Sequence, residues 1–401
     1  FGYTMIVAET AIGRMTRKSP VGAFKSFGKK KWLSFGGWIN AVIPVLIVPY
    51  YSVIGGWVIK YLVEYFRGNA KLLAEDGYFT DFISNGVSTE LCFVAFCAFT
   101  LIIIFAGVQN GIERVSKIMM PILIVLSVII AVYSVTRPGA LAGVKYFLVP
   151  NVKNFSWMTV VSAMGQMFYS LSIAMGILIT FGSYMKKDTA IEDSTRNVEI
   201  FDTGIAIMAG LMIIPAVFAF SGGDPDTLQA GPSLMFITIP KVFQNMGFGT
   251  VIGIVFFLLV LFAAVTSSIA LTESAVSTFE DELGWGRKKA TVLVGVIMLA
   301  LGSLSSLGYG PLAGIKIIGM QFLDLFDFLT NSVMMPIAAL LTSLFVSRVV
   351  GIDKIEAEII HGESAFRRKK VFVVMIKYLC PVFAIIILLS SVANALGWIK
   401  M

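Results

Sequence analysis

The chain has 401 residues, of which 57% are apolar and 14% charged, with a formal net charge of +7. A soluble globular domain carries about a quarter charged residues, so this composition excludes one, and it equally excludes a disordered chain or a disulfide-stapled secreted domain. Three cysteines (Cys92, Cys97, Cys380), all in apolar runs, and a single histidine, His361, leave almost no material for a zinc site or a Ser-His-Asp triad. The basic excess fits the cytoplasmic loops of a membrane protein better than a nucleic-acid surface, and no nucleic-acid partner is expected.

Crossing a bilayer as a helix takes about 20 apolar residues. Residues 1–13 are apolar except for Glu9. As a helix they reach only about 20 Å, too short to span. They lack the basic start of a signal peptide and read as the tail of a helix that begins upstream. Nine longer uncharged stretches follow, at 32–59, 91–112, 118–136, 154–185, 203–223, 242–272, 290–315, 328–347 and 378–399. The expected fold is all-α, one polytopic membrane domain over 1–401 with about ten helices. Of the 31 Lys and Arg residues, 21 lie in loops 14–31, 109–117, 185–199, 280–289 and 347–371, which the positive-inside rule assigns to the cytoplasm. The apolar stretch Ser233–Met246, with Pro240, reads as a hairpin lying at the interface on the other side.

Polar groups inside a bilayer are costly and mark functional candidates. In 32–59, Tyr50 and Tyr51 sit between Pro44, Pro49 and the Gly55-Gly56 pair. A phenol at mid-membrane needs a partner, either a ligand carboxylate or a helix carbonyl. The stretch 154–185 exceeds one straight span and carries Gly165, Ser170, Ser172 and Gly176 near its middle. Either it is a tilted helix packed through small residues, or it unwinds there and exposes two half-helix ends for ions and carboxylates. Ala263, Thr266 and Ser267 share one helical face. Their oxygens could ligate a hard cation, or the hydroxyls could bond back to their own helix. Glu9, Asp202 and Asp327 are acids within or at the edge of apolar runs.

At these residues the sequence resembles the neurotransmitter:sodium symporter family in its short bacterial branch. Residues 111–121 (Gly-Ile-Glu-Arg-Val-Ser-Lys-Ile-Met-Met-Pro) match its fourth-to-fifth helix turn, Gln166 to Gly176 its broken sixth helix, and Thr266 to Ala270 its eighth. Gly231-Pro232 with Ile239-Pro240 matches its outer hairpin, and Phe279 to Leu283 its inner eighth-to-ninth loop. The resemblance implies a leucine-transporter-like fold of two inverted repeats. In it, residues 1–13 are the end of the second helix, so the first helix is absent from the chain and expected upstream. It implies a sodium-coupled symporter of the cell membrane that imports a neutral, apolar or aromatic amino acid. The implied substrate pocket is Ile47, Tyr51, Tyr169, Ser170, Ser172, Met175, Ser267 and Leu271, with Tyr51 bonding the substrate carboxylate. Ser170 and Asp202 look like ligands of a first sodium, and Ala263, Thr266 and Ser267 like those of a second. Counting back from Pro215 also allows Phe201 in the place of Asp202. In chloride-dependent relatives a bound anion supplies the charge that Asp202 would supply here. Asp327 looks like the outer-gate acid, and Tyr184 and Asp281 like inner-gate residues. Tyr169 stands where the family usually has a phenylalanine lid, and Ala174 where many members have glycine. The competing functions are a sodium-independent amino-acid antiporter of the same fold class and a non-transporting membrane sensor.

Overall fold

The computed structural model describes residues 1–224, 228 and 231–395. Among them every regular element is helical, apart from one isolated bridge between Ile317 and Met320. An apolar run in lipid must satisfy its backbone polar groups internally, and a helix does so within one segment. Eight helices are long and apolar enough to cross a membrane: α2 (Lys31–Phe66), α3 (Gly86–Phe105), α4 (Val108–Val135), α7 (Ile191–Ser221), α8 (Gly249–Leu283), α9 (Arg287–Leu307), α10 (Phe322–Val350) and α11 (Lys369–Asn394). The remaining apolar stretch, 154–185, forms two pieces, α5 (Trp157–Ser170) and α6 (Ile177–Tyr184). The first apolar run forms α1 (Gly2–Thr16). The last residues of the stretch expected at 378–399 lie outside the described residues.

Several helices run further than their uncharged cores. The uncharged run ends at 272, but α8 continues to Leu283, and the carboxylate of Glu273 inside it is paired with Arg287 at the start of α9, 2.5 Å away. α7 begins at Ile191 rather than 203 and α10 at Phe322 rather than 328, so Asp202 and Asp327 lie inside helices. α11 begins at Lys369, and its Lys377 points to the exposed face, where a long side chain can reach the polar layer. A charged residue therefore ends an apolar run in the sequence without ending the helix.

α2 is the central helix: 67% of its apolar window is buried, against 28% for α7 and α11. It packs against α8, α3, α9 and α10, while α1 packs along α6 and α7. The segment at 233–246 contains the apolar helix Leu234–Gln244, too short to cross. It is pinned to α2 through Phe236, whose carbonyl accepts from the Tyr61 hydroxyl at 2.8 Å and whose ring packs edge-on against the Tyr61 ring at 5.1 Å.

The break between α5 and α6 is built into the backbone. Ser172 (φ 54°), Ala174 (φ 58°) and Gly176 (φ 73°) are all left-handed, a conformation that a continuous helix cannot hold. Only Gly176 is free of the Cβ penalty. The Glu9 carboxylate, fully buried on α1, accepts the Ala174 N–H at 2.8 Å and ties the unwound stretch to α1. α1 reaches α6 closely because both present glycine. A Cβ on Gly13 would run into the Ile179 carbonyl, and one on Gly182 into the Thr10 carbonyl at 2.5 Å. Replacing Gly13 with valine is therefore expected to force the two helices apart, at about 1–3 kcal/mol for an overpacked contact. A lower midpoint of thermal unfolding in detergent checks this, and an unchanged midpoint contradicts it.

Candidate functional site

The broken helix brings the first cluster together. A cavity of about 240 Å³ is lined by Ile47 and Tyr51 of α2, Tyr169 and Ser170 at the end of α5, Ser172 and Met175 of the unwound stretch, and Ser267 and Leu271 of α8. All eight residues implied by the resemblance as a substrate pocket thus face one space, joined by Ile177 and Ala270. The walls combine five hydroxyls with five apolar side chains, and none of them is a carboxylate or an amine. Tyr51 and Ser267 line the same cavity from α2 and α8. The C-terminal end of α5 and the N-terminal end of α6 both border the cavity, through Ser170 and Ile177. At the first end Leu171, Ser172 and Ile173 donate to the carbonyls of Met167, Tyr169 and Phe168, whereas the first-turn N–H groups of α6 have no partner within the helix, so the two ends present partial negative and partial positive charge without an ionised side chain.

Two oxygen clusters adjoin the cavity. Ser170 Oγ donates to Asp202 Oδ1 at 2.6 Å, across from α5 to α7. The alternative residue, Phe201, is 60% exposed and turned away, so the helix register presents Asp202 to Ser170. On α8, Thr266 Oγ1 donates to the carbonyls of Ala263 at 3.0 Å and Phe262 at 3.1 Å. The back-bonding weighed for this hydroxyl is therefore present. It still leaves lone pairs on Thr266 Oγ1 and holds that oxygen close to the Ala263 carbonyl, with Ser267 one residue on. Neutral oxygens on one helical face suit a hard monovalent cation. Among the described residues no group of three or more His, Cys, Asp or Glu side chains could hold a metal.

Beyond the first cavity lies a second of about 530 Å³, lined by Asp324, Asp327, Asn331, Tyr309 and Gln166 among others. Tyr51 and Tyr169 line both cavities and separate them. Asp327 accepts from Tyr50 at 3.1 Å and from the Asn331 amide one turn along α10. Neither partner was assigned a role from the sequence, although an acid and an amide four residues apart face the same side of a helix.

The inner-gate candidates lie together at the opposite end, but with partners the sequence reading missed. Tyr184 donates to Glu273 Oε1 at 2.7 Å, and Arg287 grips the same carboxylate through two nitrogens, at 2.5 and 3.0 Å. Such a bidentate pair is among the stronger charge-assisted contacts. Asp281 accepts the backbone N–H of Ser19 at 2.5 Å, at the start of the short helix Pro20–Lys25. Glu273 is the first acid after the apolar run of α8, a signal hidden because the uncharged stretch ends one residue before it. Nearby, the fully buried Arg14 at the end of α1 pairs with Glu358 at 2.8 Å and donates to the Thr189 carbonyl.

Comparison with known proteins gives a consistent picture. A profile of the sodium:neurotransmitter symporter family matches residues 71–397. The chain is 33% identical over 395 residues to the uncharacterized sodium-dependent transporter YhdH of Bacillus subtilis, covering 98% of this chain and 87% of the relative. It is 30% identical to an uncharacterized sodium-dependent transporter of Haemophilus influenzae, over 97% of this chain and 87% of the relative. Its structure resembles that of MhsT in complex with L-phenylalanine with a TM-score of 0.85 at 33% identity, covering 97% of this chain and 88% of that one. The helices are those of a multi-pass membrane protein with a leucine-transporter-like fold. Matched by the profile over most of its length and by sodium-dependent transporters over nearly all of it, the chain belongs to the sodium:neurotransmitter symporter family.

Proposed function

We propose that the protein is a sodium-coupled importer of a neutral amino acid with an apolar or aromatic side chain, and that the 240 Å³ cavity is its substrate site. The observation that carries this reading is the convergence of hydroxyls, apolar walls and two half-helix ends on one cavity, with no ionised side chain in the lining. The substrate carboxylate would meet Tyr51 and the N–H groups at the start of α6. Its ammonium would meet the carbonyl end of α5 and the hydroxyl of Ser170. Ile47, Met175 and Leu271, all buried, would surround the side chain. The solved relative holds L-phenylalanine, which fits a substrate of this class.

Sodium is the coupling ion in this proposal and travels as cargo. Ser170 and Asp202 would hold one ion, and Ala263, Thr266 and Ser267 another. Ser170 and Ser267 belong to both the cavity and an ion cluster. Each ligand therefore strengthens the site of the other, and such coupling is reciprocal in free energy. The gates would be Asp327 on the outer side and Tyr184 with Asp281 on the inner side.

The direct test is uptake of tritiated L-phenylalanine and L-leucine into proteoliposomes under an inward sodium gradient. Accumulation that vanishes when choline replaces sodium is the expected result. Uptake indifferent to sodium would favour the antiporter, and no uptake the sensor. In the same assay Ser267→Ala should raise the half-saturating sodium concentration about tenfold, the lower bound for losing one contact to a charged group. Unchanged half-saturation removes Ser267 from the ion site.

A further inference from the structure

Tyr169 is where the two cavities meet, and it stands in the family's lid position with a hydroxyl that phenylalanine lacks. That hydroxyl lies 3.3 Å from the hydroxyl of Tyr50. Tyr50, itself 1% exposed, lies 3.1 Å from Asp327 Oδ1 and 3.3 Å from the hydroxyl of Thr330. Donor inventory fixes the direction of this chain. An ionised carboxylate only accepts, so the single proton of Tyr50 goes to Asp327. Thr330 donates its own proton to the Phe326 carbonyl at 2.8 Å. Tyr50 is left with a lone pair, and the O–H of Tyr169 is the donor beside it. The order is Tyr169 to Tyr50 to Asp327, and hydrogen bonds in series polarise one another. Asn331 holds the far end by donating to the same carboxylate oxygen.

We infer that Asp327 is a positioning residue for the lid: acting through Tyr50, it holds Tyr169 over the inner cavity and sets how long a bound substrate stays there. Asp327 does not line the inner cavity, so its influence on retention runs through the hydrogen bonds and not through contact with substrate. This role is distinct from that of an outer-gate ion pair. It rests on the reading of the inner cavity as the substrate site.

The experiment is release of tritiated L-phenylalanine from purified protein loaded in sodium and diluted into unlabelled amino acid. Tyr169→Phe and Tyr50→Phe are each expected to speed release about five- to tenfold, the effect of one hydrogen bond, and Asp327→Asn, whose amide oxygen still accepts but without charge, to speed it less. The double variant Tyr169→Phe/Asp327→Asn should release no faster than the faster single one. Unchanged release in Tyr169→Phe, or a double effect equal to the product of the singles, overturns the inference. A wild-type protein that retains no labelled amino acid in sodium contradicts the substrate reading instead. The link is then judged without ligand, from thermal unfolding of Tyr50→Phe, Tyr169→Phe and their double variant. Losses that overlap support it, and losses that add refute it.

Discussion

Tyr51→Phe is expected to lower substrate affinity roughly 10- to 100-fold while leaving the fold intact. A hydrogen bond to a charged group is worth about 1.5–3 kcal/mol, and this substitution removes one while keeping the ring. Tyr51 is suited to such a bond because it lines the inner cavity together with Ser172 and Met175 of the break and Ile177 at the start of α6. Equilibrium binding of tritiated L-phenylalanine in saturating sodium measures the change. An affinity within about twofold of wild type makes Tyr51 a packing residue and moves the carboxylate contact elsewhere. Circular dichroism should be unaltered, since the phenyl ring still fills the same wall of α2.

The second large effect is expected at Asp202, together with independence from chloride. Asp202 accepts from Ser170 at 2.6 Å and is the acid that the fold places at this cluster. An acid beside a bound cation favours its ionised form and offsets the charge of the ion. At an effective dielectric constant of about 20, unit charges about 4 Å apart interact by about 4 kcal/mol. Losing half of that in Asp202→Asn would weaken sodium binding about 30-fold. Wild-type uptake should survive replacement of chloride by gluconate, whereas residual uptake by Asp202→Asn should depend on chloride. Wild-type uptake that collapses in gluconate refutes the assignment of this charge to Asp202.

Much of the architecture follows from the chain alone, for a physical reason. Lipid excludes unpaired backbone groups, so each uncharged run of sufficient length has one available structure, and composition reveals it. The excess length of 154–185, with its glycines and serines, left a tilted helix and a broken one both open, and the backbone at Ser172, Ala174 and Gly176 decides for the break. The pocket residues were nameable from motifs because their order along the chain resembles a family. Their convergence on one cavity is a property of the packed helices. What the tertiary structure alone decided is pairing. Glu9 meets the Ala174 amide 165 residues away, Tyr50 meets Asp327 277 residues away, and Arg14 meets Glu358 344 residues away. Helix period and hydropathy fix which face a residue occupies, but not which helix lies opposite. The same limit explains the misplaced end of α8. Glu273 ends the uncharged run, and only the tertiary structure shows that its carboxylate is paired with Arg287 of α9 within a helix that continues to Leu283.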